Sequence, residues 1–133
     1  HANSASVHNQ GHTVLRLDDP ARAAALFRES LSLHQATDNR RGICLCLAGL
    51  AGVAVTIGQA ERAAQLLGAV SVHLKPLGAH LMGPADQAEC DRHLAAVRVA
   101  LAPNVFVRAW EAGRSMTFDQ AVALGISDQP QSI

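Results

Sequence analysis

Two segments of this chain write the same amphipathic helix twice. Residues 20–30, PARAAALFRES, align without a gap on residues 60–70, AERAAQLLGAV, at a shift of 40 residues. An interval of that length holds two helices joined by short turns. A helical hairpin cannot bury its apolar face alone, so consecutive copies have to stack against one another. The repeat therefore predicts an all-α fold built from helical hairpins.

The apolar spacing along the rest of the chain agrees. Val7, Val14, Leu15 and Leu17 mark a helix over 4–17. Asp18-Asp19-Pro20 then supplies a turn, an N-cap and a proline suited to the first helical turn. A second helix over 21–36 carries Ala23, Leu26, Phe27 and Leu31 at helical spacing. The third, over 40–57, is apolar on every side, the mark of a helix buried all round, with Gly49 and Gly52 placed for close packing. Gly58 stops it, a fourth helix runs over 59–75, and Pro76-Leu77-Gly78 ends that one. Gly83-Pro84 opens a fifth helix to Leu101, with Ala88, Cys90, Leu94, Val97 and Leu101 facing inward. A short helix over 105–112 follows Pro103 and ends at Gly113. Thr117-Phe118-Asp119-Gln120 fits a capping box for a last helix reaching Leu124, and 127–133 read as a frayed tail.

Composition narrows the function classes. Lys plus Arg and Asp plus Glu are both 11, so there is no basic stripe for nucleic acid. No apolar run reaches the roughly 18 residues of a membrane span, and no signal peptide is visible. The three cysteines, Cys44, Cys46 and Cys90, form no disulfide pattern and suit a reducing, cytoplasmic setting. One domain over 1–133 is expected.

The spacing matches the tetratricopeptide pattern W-x-x-L-G-x-x-Y followed by A-x-x-x-F. Val7, Gln10, Gly11, Val14, Ala23 and Phe27 take those slots first, then Leu47, Leu50, Ala51, Ala54, Ala63 and Leu67. The slots are mostly aliphatic and the interval is 40 residues instead of about 34. A third frame begins with Cys90 and Leu94 and fails at Pro103. The expected architecture is a tetratricopeptide-like α-solenoid of about three hairpins, units 4–39, 40–79 and 84–113. The last is degenerate, and a C-terminal cap covers 114–126.

The segments DDPARAAALFRESLSLHQATDNRRG, LAGLAGVAVTIGQAERAAQLLGAV and FVRAWEAGRSMTFDQAVALGI also carry a family resemblance. With Leu67-Gly68 and Trp110-Glu111-Ala112-Gly113-Arg114, they resemble the C-terminal helical-repeat region of bacterial LuxR-type and signal-transduction ATPase transcriptional regulators. The resemblance covers residues 4–126. It implies a fragment of a larger regulator, whose repeats sense or transmit signals through protein contacts, and it is similar to an inducer-binding repeat domain. No G-x-x-x-x-G-K-[ST] loop and no basic recognition helix is present in this chain.

Local motifs for chemistry are sparse. His8 and His12 are four apart and share a helix face, but no Asp or Glu joins them at helical spacing, so they read as groove or surface histidines. His73, His80 and His93 are scattered, and His1 reads as a cloning remnant. Asp86, Glu89 and Asp91 sit early in the fifth helix, where they favour its dipole. Ser71, Ser115 and Cys90 lie in no nucleophile motif. The expectation is no enzyme, no cofactor and no metal. A solenoid groove would be lined by His8, His12, Arg16, Gly52, Thr56 and Arg92, with Arg16 and Arg92 suited to carboxylates. The module then binds a protein or peptide, or other domains of its own chain. The alternatives are a small-molecule inducer sensor and a homo-oligomerising scaffold.

Overall fold

The structure, a computed structural model, describes residues 3–77 and 83–127. His1, Gly78, His80 and residues 128–133 of the expected tail lie outside them. The described residues form seven α-helices: α1 (Ser4–Arg16), α2 (Pro20–Ala36), α3 (Arg40–Thr56), α4 (Ala60–Leu74), α5 (Pro84–Ala100), α6 (Pro103–Arg114) and α7 (Phe118–Ile126). A single 3-10 turn, Lys75–Leu77, closes α4. No strand occurs among the described residues.

The first four helices are joined by one turn used three times. Asp18, Asp38 and Gly58, twenty residues apart, all have positive φ, at 66°, 53° and 87°. After each, an amide reaches back five residues: Asp19 to Val14 O, Asn39 to His34 O, and Gln59 to Ala54 O. This is the Schellman closure of a helix, which places its left-handed residue just past the helix end. The next helix then starts at once. Asp19 caps α2 by accepting from the Arg22 amide, and Asn39 caps α3 by accepting from the Gly42 amide. The structural period is therefore twenty residues, half the period visible in the sequence.

α1 packs on α2, α2 on α3 and α3 on α4. α3 is the hub, with every residue from Gly42 to Ala54 buried. Phe27 of α2 is fully buried between two helices that give it room: a methyl at Gly11 of α1 or at Gly49 of α3 would strike its ring. The slots of the first two tetratricopeptide frames are buried except exposed Gln10 and half-buried Val14, and Cys90 and Leu94 of the third are half-buried.

The later helices depart from the sequence reading in three places. α6 begins at Pro103 itself and not at the expected residue 105, because a proline at the first helical position loses no hydrogen bond. α6 then continues through Gly113 to Arg114. Gly113 is there for approach: a side chain on it would meet the Gln65 carbonyl of α4, and one on Gly68 would meet the Trp110 carbonyl of α6. The two helices run side by side in one direction, with the start of α4 near Leu101 and His73 Nε2 2.8 Å from Met116 O. Second, α5 and α6 touch little, so the third pair is not a close hairpin. Third, Ala88 is exposed, and the buried stripe of α5 is Glu89, His93 and Val97. α7 lies on α3 and α4. Its C-terminus is held by the buried Arg62, which donates to the Leu124 carbonyl at 2.7 Å and also to that of Ser127.

Candidate functional site

α5 turns a polar stripe inward because of what it meets. α1 presents His8 and His12 on one face, one helical turn apart, and α3 lies behind them. α5 crosses α3 where Gly52 leaves no side chain. The His93 ring sits on that gap, and a methyl at residue 52 would collide with it. The result is a largely buried cluster of three imidazoles and two carboxylates drawn from helices 78 residues apart in sequence.

The closest atoms form a triangle. His8 Nε2 lies 3.1 Å from His12 Nε2 and 3.2 Å from Asp86 Oδ1, and His12 Nε2 is 4.0 Å from that same oxygen. The two rings stand edge to face, 4.7 Å between centroids, and both also pack against Phe27. The other ring nitrogen of His8 faces Cys46 Sγ at 4.0 Å. That of His12 faces Glu89 Oε1 at 3.9 Å, too far to bond, and is buried without a hydrogen-bond partner. His93 lies nearly parallel to His12, with centroids 6.3 Å apart, and its Nε2 is likewise buried and unpartnered.

Glu89 is only 5% exposed, yet it is charge-balanced twice. Arg16 of α1 pairs with one oxygen, and Arg92, one turn along α5, lies 2.6 Å from the other. Both arginine side chains remain more than half exposed, so they act as a lid whose charged ends reach inward. A void of about 10 Å³, the size of one water or one ion, is bounded by His12, Asp86, Glu89 and His93 together with Leu45, Ala48 and Cys90.

The environment sets the charges. Burial pushes His12 down to about 3, and the neighbouring His8 and His93 add to the effect. Burial also pushes His93 down to about 4, with Arg92 and Arg16 contributing. Both are therefore neutral bases at physiological pH. The hydrogen bond from His8 holds the Asp86 carboxyl below its usual range, against its partial burial. Arg41 of α3 acts on Asp86 in the same direction.

Five of the six residues expected to line the groove thus meet here. His8 and His12 are inside the cluster, Arg16 and Arg92 clamp Glu89, and Gly52 forms the floor under His93. Thr56 does not join them. It is exposed, and its hydroxyl donates to the Gly52 carbonyl of its own helix at 2.8 Å. Reasoning from sequence missed Asp86, Glu89 and His93. Their 3–4 residue spacing along α5 was a signal, but nothing local says that such a stripe faces α1 instead of solvent. Asp91, grouped with them in sequence, is exposed and accepts from Gln87 at 2.8 Å.

A second feature is a more open apolar hollow of about 280 Å³ between α4, α5 and α6. Its walls include Leu67, Val70, Leu74, Cys90, Leu94 and Trp110. No helix among the described residues is long and apolar enough to cross a membrane. Comparison with family models, curated proteins and solved structures returns no match for this chain.

Proposed function

We propose that this chain is a non-catalytic, signal-sensing and protein-interaction module of a bacterial transcriptional regulator. Its fold is read as a tetratricopeptide-like α-solenoid. Two hairpins with identical turns at a twenty-residue period support that architecture, as does the parallel placement of α4 and α6.

The observation that carries the functional reading is the way α5 is held. It covers the face that would line a solenoid groove, and it does so through ion pairs and imidazoles as well as the apolar packing of Val97. A helix seated on polar contacts has a contact free energy set by charge and ligation, which signals change readily. One seated on packed aliphatic side chains does not. α6, by contrast, is locked on α4 by backbone-to-backbone approach at Gly68 and Gly113.

The test is the mass of the native protein in its source cells, probed with an antibody to this domain. A species much larger than 14.0 kDa is expected. A native species of about that mass would remove the regulator reading.

A second reading, a sensor of a small apolar inducer, is favoured by the hollow beside Trp110. Such a ligand would raise the melting temperature of the isolated chain in proportion to the logarithm of its concentration. A Trp110→Ala variant would lose that gain.

A further inference from the structure

We infer that His8 Nε2, His12 Nε2 and Asp86 Oδ1 form a binding site for one divalent transition cation of the zinc class, which fastens α5 to α1. The site stands on these residues alone, whether or not the chain belongs to a regulator.

The geometry is that of a ligand set. Atoms about 2.1 Å from a tetrahedral zinc lie about 3.4 Å from one another. The three separations here are 3.1, 3.2 and 4.0 Å. Two histidines four residues apart on one helix face are a recurrent zinc-binding pair, and a carboxylate completes a three-ligand site with an open fourth position. Imidazole with carboxylate selects borderline transition cations over magnesium or calcium, which prefer all-oxygen sets.

Hydrogen bonding alone satisfies the cluster poorly. If His8 Nε2–H donates to Asp86, the same hydrogen has to serve the His12 Nε2 lone pair 3.1 Å away. A cation between the two Nε2 atoms takes both lone pairs. Each Nδ1 then carries its hydrogen, that of His8 lying 4.0 Å from Cys46 Sγ and that of His12 3.9 Å from Glu89 Oε1. Asp86 is partly exposed, which leaves a route from solvent.

A competing grouping, His12, Glu89 and His93, brings its ligand-type atoms within 4.8 Å of one another. It is the weaker choice because the carboxylate of Glu89 is already committed to Arg16 and Arg92. Asp86 pairs with the two imidazoles, and Arg41 also acts on it.

The experiment is a titration of the chelator-stripped chain with zinc ion, read by calorimetry, and with cobalt ion, read by its visible bands. One equivalent of zinc is expected, with a raised melting temperature and with tetrahedral-type cobalt bands. Asp86→Asn, at a partly exposed position, should keep the wild-type circular dichroism and bind zinc at least tenfold more weakly. His12→Gln should do the same, while His73→Gln and His93→Gln should bind as wild type. The assignment is overturned if the wild type binds no stoichiometric zinc, or if Asp86→Asn binds it unchanged. It is equally overturned if His93→Gln, and not Asp86→Asn, abolishes binding, since the cation would then sit in the other grouping.

Discussion

Gly52 lies directly beneath the imidazole of His93, and α5 comes as close to α3 as it does because residue 52 has no side chain. Gly52→Ala forces that ring away from the cluster. Overpacking costs about 1–3 kcal/mol, and the better helix propensity of alanine returns about 1 kcal/mol. A net loss of about 1 kcal/mol is expected in urea unfolding. Amide exchange should quicken in α5 and stay slow in α4 and α6. Uniform quickening across all helices would show that α5 is not held independently.

The α4–α6 crossing should be less forgiving. At Gly113 an added methyl meets the Gln65 backbone carbonyl, and at Gly68 that of Trp110, neither of which can rotate away. Gly113→Ala should therefore cost about 3 kcal/mol, and more than Gly52→Ala. The chain has a single tryptophan, on α6, so the shift of its emission during unfolding reports this contact. Gly83→Ala, with nothing within 4 Å, removes only a favoured N-cap residue of α5 and is the control, expected to cost about 1 kcal/mol or less.

The three turns offer a test of backbone strain with no packing involved. Gly58 has φ 87° and nothing nearby, so Gly58→Ala should destabilise the chain by about 1 kcal/mol. Asp38 holds the equivalent left-handed position without glycine's freedom. Asp38→Gly should stabilise by about 0.5 kcal/mol, the relief being offset partly by the looser unfolded chain. If both substitutions move the urea midpoint in the same direction, the shared turn geometry is wrong.

Thiol chemistry should separate the cysteines from solvent. Burial pushes Cys44 and Cys46 up to about 11, and it raises Cys90 as well. At pH 8.5 a thiol with that value is thiolate in roughly one molecule in 300, against about half for a free cysteine. Alkylation of Cys44 and Cys46 should wait on unfolding. The linkage sign follows: above about pH 9 the folded chain keeps protons that the unfolded chain releases, so stability falls as pH rises toward 11. The chain has no tyrosine, so few other groups titrate there. A urea midpoint unchanged between pH 8 and 10.5 would contradict the burial of these thiols.

Much of the fold was legible in the sequence, because its signals are local. The forty-residue echo, the all-apolar stretch through α3, the caps at Asp19 and Thr117 and the stop at Gly58 each act within a few residues of where they are written. Sequence alone thus determined an all-helical chain, most of its helix limits and the burial of Phe27 and Leu67. It also named five residues that meet at the site. It went astray at Pro103, Gly113 and Ala88, where the same residue type has two uses. Proline both ends and begins helices, glycine both stops them and lets them touch, and an alanine stripe faces inward only if nothing better placed competes.

The tertiary structure decided which helix covers which. Periodicity states that a face is to be buried, but not against what, because that depends on the shape left by every other element. Asp86, Glu89 and His93 are ordinary surface residues on an isolated α5. They become a cluster because Gly52 opens a gap in α3 and because α1 brings His8 and His12 to its edge. Charges and imidazoles can be buried together only where partners from elsewhere in the chain offset their lost hydration, and that pairing comes into being only when the chain is folded.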